Sequence, residues 1–449
     1  LKSRWFAERA VFMHPFNEAI CALSSGVLAF SMMLAWFRRP VKPGRFLLYD
    51  TNYGEGFNLQ REVYPRAAWV VWALNQELEG RCGGRTDGLD CRRWAVVLPP
   101  WCRVVHWWSG PEPLPWSDFF DASVLRMAGV PVLEFHEYAT EVEKGSVDVT
   151  IHLTEDSPQG RRFFTASAGK FKHWAGDLSP CNRSAPGSGQ GILEHERDPM
   201  TGRVRVVYAG FCEGGLTSAE LRCAVLDSPF PEAVVDMLRT LDGQIRSVLV
   251  KNYDSLLAPS DDDLDALGLR ESMLFSTEIR QHGDAYIART LGGRPYLSAH
   301  CRRSDFLRAH PASTPGAHAI AQKLNSLLAA RGLDQVFLAT DVPEDLRESL
   351  RRQVRGSVWF YGDAVGIAQF SHPGKQAAAE MWIAARADFF IGTAESRFTM
   401  WIQLERGFLG RSIETSEQEF CVHIATLTCV SPKSRHPWRR GANREAYYA

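Results

Sequence analysis

The amino-acid sequence predicts an α/β protein with two domains, in which strands alternate with helices. Two observations support this prediction. The chain has 449 residues, whereas a single hydrophobic core usually stops growing at about 250–300 residues. Short apolar runs typical of buried strands are followed by helical patterns, most regularly after residue 268, and this alternation indicates a parallel, doubly wound sheet.

Composition excludes several other classes of protein. The 51 basic and 52 acidic side chains nearly balance, which argues against a nucleic-acid partner. The 24 Pro and 36 Gly are ordinary for a globular chain, so collagen-like and disordered classes are excluded. The ten Cys show no zinc-like spacing, so no structural metal site is expected. Their number is compatible with disulfides in an oxidising compartment, although the pairing cannot be read from the sequence.

Residues 1–44 are expected to form an N-terminal targeting segment and linker. The stretch 19–37 contains no charged side chain and is followed by Arg38 and Arg39. Its length is close to the roughly 20 residues that cross a bilayer, which favours a signal peptide or a membrane anchor over a buried helix. Asn182, in the triplet Asn-Arg-Ser, is an N-glycosylation acceptor motif that fits a lumenal protein.

The first domain is predicted to span residues 45–258. Arg45–Asp50 is typical of a short buried strand that runs into a Gly-rich turn, and a helix is expected from about Asn58. One face of that helix is apolar and should contact the core: Val63, Ala67, Val70, Val71, Leu74 and Leu78. Pro65 should bend the helix because it lacks a backbone N–H donor.

Three further strands are predicted in this domain, at Trp94–Leu98, Val130–Phe135 and Val147–Leu153. An aromatic stretch, 99–120, separates the first two, and its Trp-rich part, 101–116, is a candidate platform for binding a sugar or a protein. Large aromatic residues more often belong to the core than to a binding surface, so only part of this stretch is expected to be functional. A long irregular insertion is expected from about residue 155 to 215.

The second domain is predicted over residues 259–435, after a linker-like stretch and before a tail at 436–449. Its four strand–helix units have strands at Tyr296–His300, Val336–Thr340, Val358–Tyr361 and Phe389–Ile391, and helices at about 315–331, 343–353, 374–387 and from Ser396. Ligands bind outside the carboxyl ends of the strands in such sheets. The residues directly after the strands are therefore candidates, namely 300–305, Asp341 and 392–398.

The turn after the first strand, Gly54-Glu55-Gly56-Phe57-Asn58, is the first candidate for chemistry. Glycines on both sides allow close approach of the backbone to a ligand and hold the carboxylate of Glu55 at the mouth of a cleft. Glu55 would serve as a base or an orienting group. Asn58 has the alternative role of a helix N-cap.

The second candidate is His300-Cys301-Arg302-Arg303-Ser304-Asp305, directly after a predicted buried strand. The guanidinium fork matches phosphate oxygens, so this Arg pair suits a diphosphate. Asp305 is spaced to hold one Arg by a salt bridge. A surface ion pair is an equally weighted alternative.

The third candidate is the turn from Phe389 to Phe398, which joins a strand to a helix. A helix start presents backbone N–H groups toward the cleft and forms a natural anion site. Ser396 is equally compatible with a plain N-cap role. This turn and the Arg pair lie at the same predicted sheet edge, and their coincidence favours a bound diphosphate.

Five ordered blocks carry a resemblance to a known family: LLYDTNYGEGFNLQREVY, VLPPWCRVVHWWS with PWSDFFD, YLSAHCRRSDF, VFLATD and MWIAARADFFIGTAESRF. The chain resembles the GDP-fucose protein O-fucosyltransferases, and among them the enzymes that modify thrombospondin type 1 repeats. The resemblance runs from about residue 45 to 430 and fades between about 150 and 250.

The resemblance implies a GT-B fold, in which two Rossmann-like domains face each other across a cleft. It implies metal-independent transfer of fucose from GDP-fucose, with inversion, to Ser or Thr of a folded repeat in the endoplasmic reticulum, and no cofactor. The family's catalytic carboxylate matches Glu55, and Arg302 with the helix start at Ser396 would meet the charge of the leaving diphosphate. The implied GDP-fucose contacts are Gly56, Phe57, Asn58, His300, Arg302, Asp305, Glu380, Ser396, Arg397 and Phe398.

Three departures from the family pattern accompany this assignment. Arg397 stands where the family usually has Thr, Glu380 where it has an Asp that contacts the nucleoside, and Cys102 and Cys301 where Cys is unusual. Two alternative functions stay open. One is the related transfer of fucose to epidermal-growth-factor-like repeats, and the other is a non-catalytic lumenal quality-control protein that binds the same repeats.

Overall fold

The structure is a computed structural model that describes most of the chain from residue 43 to 417. The described residues are 43–51, 56–83, 91–102, 104, 107, 113–127, 129–142, 146–153, 179–180, 196–197, 204–205, 216–224, 231–251, 253, 264, 267–309, 314–393 and 396–417. The apolar stretch 19–37, Glu55 and Asn182 lie outside them. Within the described part, no helix combines the length and apolar character needed to span a bilayer.

The first sheet has nine described strands, and its central strands are parallel. Their order is β3-β2-β1-β9-β4-β8-β7-β6, with β5 also paired to β8. The strands are β1 Arg45–Tyr49, β2 Trp94–Leu98, β3 Val132–Glu134, β4 Val147–Leu153, β5 Ser179–Pro180, β6 Glu196–Arg197, β7 Val204–Arg205, β8 Thr217–Ala224 and β9 Ser247–Lys251. Leu47 in the central β1 lies opposite Val96 and Val248, and all three are buried. Apolar side chains on both faces suit a sheet that is covered on both sides.

Five helices accompany this sheet in the described residues. They are α1 Phe57–Arg61, α2 Val63–Cys82, α3 Ala122–Met127, α4 Phe135–Glu141 and α5 Pro231–Arg239, with a 3₁₀ turn at Trp116–Asp118. The predicted helix after the Gly-rich turn is divided at Glu62, and Pro65 falls in the first turn of α2, where a missing N–H costs little. All six predicted apolar-face residues are buried. A disulfide joins Cys82, at the end of α2, to Cys91.

The second sheet is fully parallel and has five strands in the order β12-β11-β10-β13-β14 within the described residues. The strands are β10 Leu297–Cys301, β11 Gln335–Thr340, β12 Ser357–Trp359, β13 Phe389–Ile391 and β14 Ser416–Glu417. The helices are α6 Thr277–Arg289, α7 Phe306–Ala309, α8 Ala317–Arg331, α9 Glu344–Gln353, α10 Pro373–Arg386 and α11 Arg397–Phe408, with 3₁₀ turns at Tyr361–Asp363 and Ile413–Thr415. The predicted doubly wound α/β architecture is confirmed.

Two predicted strands are shorter than expected, because a helix start takes their last residues. The strand predicted at Val130–Phe135 is β3 alone, since Glu134 caps α4 through a reciprocal capping box with Glu137. The strand predicted at Val358–Tyr361 ends at Trp359, where a 3₁₀ turn follows. The sequence analysis did not identify β8 and β9.

A large apolar core connects the two sheets. One buried cluster contains residues of the first half, such as Leu47 and Phe57, and of the second, such as Ala339 and Trp401. The described residues from 44 to 417 belong to one compact unit. The two sheets fall within the predicted ranges 45–258 and 259–435, and the boundary between those ranges stays a prediction.

Candidate active site

The strand order of the second sheet locates a candidate ligand site. The chain enters this sheet at the central β10, winds outward to β12 and then returns to β13 on the other side of β10. Ligands bind at such a reversal, beyond the carboxyl ends of the strands. The segments that follow β10 and β13 contain two of the three motifs that the sequence singles out, so the fold brings those motifs together.

His300 lies at the end of β10 and is neutral at physiological pH. Its ring stacks on Phe398 with 4.6 Å between ring centroids, and its Nδ1 lies 2.7 Å from Thr399 Oγ1. Burial lowers the pKa of His300 to about 3, with Asp341 and Arg302 as the nearest charges that modify it. The imidazole is therefore an uncharged ring that is hydrogen-bonded to Thr399.

Arg302 is held by two carboxylates at the carboxyl end of β10. Its Nε lies 2.8 Å from Asp305 Oδ1 and its Nη1 lies 3.1 Å from Asp341 Oδ2. Its backbone N–H donates to Thr393 Oγ1 at 2.9 Å, which ties the loop after β10 to the end of β13. The predicted salt bridge between Asp305 and one Arg is confirmed. The guanidinium is fixed in orientation at the strand-order reversal.

Asp341, directly after β11, organises the loop that carries Arg302. Its carboxylate accepts hydrogen bonds from Arg303 N at 2.8 Å, Ser304 N at 3.2 Å and Ser304 Oγ at 2.5 Å. The sequence indicated Asp341 only by its place after a strand. Its role in shaping this loop depends on pairing across 37 and 38 residues of chain, which no local pattern reveals.

The turn between β13 and α11 closes the other side of the site. Thr393 Oγ1 donates to the carbonyl of His300 at 2.9 Å, and Thr393 N donates to Thr399 Oγ1 at 3.0 Å. Ser396 occupies the N-cap position of α11, but its side chain makes no capping hydrogen bond. The hydrogen bonds of Thr393 to His300 and Arg302 hold the end of β13 beside the loop that carries Arg302.

Arg397 and Phe398 occupy the first turn of α11. Arg397 Nη1 lies 3.4 Å from Met400 Sδ, so its guanidinium lies beside the next turn of its own helix. Phe398 faces His300 through the ring stack described above. These two residues are thus adjacent to the loop that carries Arg302.

A cavity of about 170 Å³ opens beside the carboxyl ends of β11 and β12. Its lining residues are Leu338, Thr340, Arg347, Phe360, Tyr361, Gly362, Gln369, Gln376 and Glu380. Burial raises the pKa of Glu380 to about 8, while Arg347 opposes this shift and Asp341 adds to it. Because Asp341 also contacts Arg302, the cavity and the Arg302 loop are neighbouring parts of one site.

Among the residues that line this cavity, Glu380 is the one that was predicted from the sequence as a contact. Arg347 lies on α9, where its Nε donates to Val342 O at 3.2 Å and its guanidinium lies 5.3 Å from the Phe360 ring centroid. The sequence signal that could have identified Arg347 is its place, as a basic residue, on the helix that follows the VFLATD block. Phe360 and Gln376 gave no sequence signal, because an aromatic after a strand and an amide on a helix are ordinary.

The first half contributes α1, which begins directly after Glu55. Gly56 is the N-cap of α1, so the N-cap alternative for Asn58 is wrong. Asn58 is buried instead, and its side-chain Oδ1 has no hydrogen-bond partner within the described part of the chain. Its backbone carbonyl accepts a hydrogen bond from Trp401 Nε1 of α11 at 3.2 Å. Among the described residues, this buried amide oxygen beside α11 is therefore an acceptor without a donor.

Phe57 belongs to an aromatic cluster formed by the Trp-rich stretch. Its ring centroid lies 4.8 Å from that of Trp101, 4.9 Å from Trp107 and 5.2 Å from Phe119. Trp101, Trp116 and Phe119 are buried, so these large aromatic residues belong to the core, as expected for part of the stretch. Trp107 also contacts the ring of His372 at the start of α10, which links the two halves.

Two cysteines that depart from the family pattern have different states. Cys102 is disulfide-bonded, whereas Cys301 is a buried free thiol, and burial raises the pKa of that thiol to about 12.

Among the described residues, no group of three or more His, Cys, Asp or Glu is arranged to hold a metal ion. Glu55 and Asn182 lie outside the described residues, so their roles stay predictions.

Comparison with known proteins identifies relatives of the chain. A family model described as GDP-fucose protein O-fucosyltransferase matches residues 46–409. The human protein named GDP-fucose protein O-fucosyltransferase 2 is 29% identical over 406 residues, which cover 84% of this chain and 86% of the human one. The Drosophila melanogaster protein of that name is 29% identical over 421 residues, covering 84% of this chain and 79% of the other.

A solved structure supports the fold. The crystal structure of POFUT1 in complex with GDP-fucose matches with a TM-score of 0.52 at 16% identity, covering 85% of this chain and 99% of the other. The chain has the GT-B fold, with two α/β sheets whose central strands are parallel. The chain belongs to the GDP-fucose protein O-fucosyltransferase family. It is an enzyme that uses GDP-fucose as the donor of fucose.

Proposed function

We propose that this enzyme transfers fucose from GDP-fucose, with inversion, to a Ser or Thr hydroxyl of a folded thrombospondin type 1 repeat in the lumen of the endoplasmic reticulum. The donor site is the Arg302 loop, the start of α11 and the cavity at Glu380. The acceptor site is on the side of the Gly-Glu-Gly turn. The observation that carries the proposal is the guanidinium of Arg302, which two carboxylates hold in a fixed orientation where the strand order reverses. The cavity at Glu380 lies beside it.

The donor binds along the carboxyl edge of the second sheet. Its diphosphate lies between Arg302 and the N-terminal turn of α11, where a guanidinium and free helix N–H groups stabilise negative charge. Its guanine base occupies the cavity, where the Glu380 carboxylate accepts hydrogen bonds from two N–H groups of the base. The neutral His300 ring and Phe398 form the wall between these two parts.

Transfer is a single displacement at the anomeric carbon of fucose. The acceptor oxygen forms a bond to that carbon from the side opposite GDP, while the bond from carbon to the diphosphate oxygen breaks and GDP leaves with the electron pair. Glu55 removes the acceptor proton, directly or through one water. Arg302 and the helix start stabilise the charge that grows on the leaving diphosphate.

Acceptor choice is supported by sequence alone. The blocks GEGFN and PWSDFF resemble the thrombospondin-repeat enzymes better than those that modify epidermal-growth-factor-like repeats. The lumenal location is supported by the disulfide between Cys82 and Cys91, since such bonds persist in oxidising compartments.

The deciding experiment incubates the purified full chain with GDP-fucose and each of the two folded repeats. We expect the thrombospondin repeat to gain the mass of one deoxyhexose, measured by mass spectrometry, and the other repeat to stay unchanged. Transfer only to the epidermal-growth-factor-like repeat would reassign the acceptor. Binding of GDP and a repeat without transfer would identify a non-catalytic binding protein.

Two variants assign the chemistry in the same assay. Glu55→Gln should keep GDP affinity within about twofold and lose transfer by about 10²-fold or more, because the base is gone. Arg302→Ala should lose both GDP affinity and transfer. Arg308→Ala, which removes an exposed arginine from the nearby helix α7, is the matched control and should behave as the wild type. Full activity of Glu55→Gln would remove that residue from the mechanism.

A further inference from the structure

Arg61, the last residue of α1, is a fully buried cation outside the site described so far. Its relative exposure is 0%, although Arg is one of the residue types that are rarely buried without a partner. It follows Glu55 by six residues and Asn58 by three on the same short segment. Whatever fixes Arg61 therefore fixes the helix to which the Gly-Glu-Gly turn is joined.

Aromatic rings surround the guanidinium of Arg61. Its central carbon lies 3.5 Å from the Trp401 ring centroid, which is a close stack on the best cation–π partner. The rings of Phe57, Phe275 and Phe120 lie at 5.4, 5.5 and 5.8 Å. Trp401 belongs to α11, the helix whose first turn carries Ser396 and Phe398. The aromatic box thus joins a helix of the first half to the nucleotide-side helix of the second.

The guanidinium has no hydrogen bond in this box. None of its three nitrogens, Nε, Nη1 or Nη2, has an acceptor within the described residues. Burial lowers the pKa of Arg61 to about 9, so the side chain stays a cation at neutral pH. Two carboxyl groups, Glu405 and Glu62, oppose that shift from a distance, and Glu62 itself pairs with Arg270 at 3.0 Å. A buried cation with so little compensation is costly to stability.

A second contact joins the same two helices. The indole Nε1 of Trp401 donates to the backbone carbonyl of Asn58 at 3.2 Å. One tryptophan therefore stacks on Arg61 with its face and binds Asn58 with its edge. These two contacts fix α1 against α11, one at Asn58 near the start of the short helix and the other at Arg61, its last residue.

We propose that Arg61, stacked on Trp401, is a positioning residue that holds α1, the helix that follows the Gly-Glu-Gly turn in sequence, in register with α11. It acts through α1 and does not touch substrate. The inference rests on the proposed function, since the register matters for transfer from donor to acceptor. A misplacement of about 1 Å at a reacting group lowers the rate by about 10²-fold.

The test compares Arg61→Met with Arg45→Met. Arg45 is also a buried arginine stacked on a tryptophan, 4.3 Å from the Trp94 ring, but it lies at the amino end of β1, away from the strand ends that face the site. We expect Arg61→Met to lower kcat by about 10²-fold while KM for GDP-fucose and the Kd of GDP stay within about threefold. Arg45→Met should lower Tm without lowering kcat, and Arg61→Lys should recover part of the lost kcat.

If Arg61→Met does not fold, Trp401→Phe keeps a ring for the stack and removes the donor to Asn58. This variant should lower kcat by about tenfold with unchanged Kd for GDP, because one of the two contacts remains. Wild-type kcat in a folded Arg61→Met or in Trp401→Phe would overturn the proposal. Equal losses of kcat and GDP affinity in Arg61→Met would also overturn it, since they indicate a structural role only.

Hydrogen exchange separates failure of this inference from failure of the proposed function. The amides of Leu59 and Gln60 bond to the Gly56 carbonyl, and they should exchange faster in Arg61→Met than in the wild type, whatever the acceptor is. A wild type that transfers no fucose refutes the proposed function and leaves this readout intact. Unchanged exchange of those amides in Arg61→Met would refute the positioning role.

Discussion

At the scale of single residues, Glu380 has the most consequential environment in the donor site. Its carboxyl lines the cavity beside β11, and burial raises its pKa to about 8. A carboxyl group accepts hydrogen bonds from two N–H groups of guanine only when it is ionised. At pH 7 most molecules of the free enzyme therefore carry a protonated Glu380, and the proposed contact with guanine requires release of that proton.

This environment predicts a pH-dependent affinity for GDP. Since the ionised fraction of a group with a pKa of about 8 rises from pH 7 to pH 8.5, the affinity should rise by about eightfold over that range. Isothermal titration with GDP at pH 7.0, 7.5, 8.0 and 8.5 measures it. Glu380→Gln, which does not titrate, is the control and should show a flat profile. A wild-type affinity that falls with rising pH would contradict the assigned role of Glu380.

His300 shows how far a single residue can be interpreted from sequence. Its place after a buried strand predicted a ligand contact, and the structure puts it between Phe398 and Thr399. Its charge state was not predictable, because the lowered pKa comes from burial by residues of other elements. A histidine in an exposed loop of the same sequence would carry positive charge near pH 6.

At the scale of elements, the turn between β13 and α11 depends on the absence of a side chain at Gly392. A Cβ at this position would lie 2.1 Å from Thr399 Cγ2, far inside van der Waals contact. Thr399 in turn contacts His300 Nδ1 and accepts from Thr393 N. The glycine thus allows α11 to start close enough to β10 for the two motifs to share one site.

We therefore expect Gly392→Ala to weaken GDP binding. Displacing Thr399 costs about 1–3 kcal/mol of folding stability, the usual range for overpacking. The part of that strain that falls on the GDP-bound state raises the Kd of GDP, by at most about 150-fold. Gly316→Ala is the matched control, because Gly316 is the N-cap of α8, and a Cβ there would meet no atom within 4 Å. Unchanged GDP affinity in Gly392→Ala would show that the turn tolerates a shift of Thr399.

The regular elements were predictable wherever their pattern was local. The strands β2, β4 and β13 have the predicted bounds, because each is an uninterrupted apolar run between polar or Gly-containing segments. β9, Ser247–Lys251, was missed although it is buried along its length and follows the amphipathic helix α5, Pro231–Arg239. Its place between β1 and β4 comes from long-range pairing.

At the scale of the whole molecule, buried ionisable groups connect stability to pH. Burial raises the pKa of Glu405 to about 7 and that of Glu380 to about 8. Both carboxyls bind a proton more tightly in the folded state than in the unfolded one. Their contribution to the free energy of unfolding is therefore present at low pH and is lost as pH rises toward 8. The lowered pKa of His300 has the opposite effect on the free energy of unfolding, which it makes rise with pH. This effect is confined to pH values below about 6.5, the pKa of a histidine in the unfolded state.

Stability should consequently fall between pH 6.5 and pH 8, where the histidine is neutral in both states. Urea unfolding of the full chain at several pH values in this window, with the midpoint as readout, measures the trend. Glu405→Gln should show a smaller decline than the wild type, since the amide mimics the protonated carboxyl and does not titrate. A wild-type midpoint that rises with pH in this window would show that Glu405 and Glu380 are ionised in the fold.

The sequence by itself determined the fold class, the order of the strand–helix units and the family. Apolar periodicity and motif spacing are local properties, so the strand ends that carry His300, Arg302 and Ser396 could be predicted without a structure. The tertiary structure alone decided what surrounds those ends. The cavity at Glu380 and the stack of Arg61 on Trp401 depend on contacts between distant segments, such as the bond from Trp401 to Asn58 across 343 residues. Packing of the two halves creates the Arg61 stack, and packing of several elements within the second half creates the cavity, so no single strand–helix unit contains all the partners.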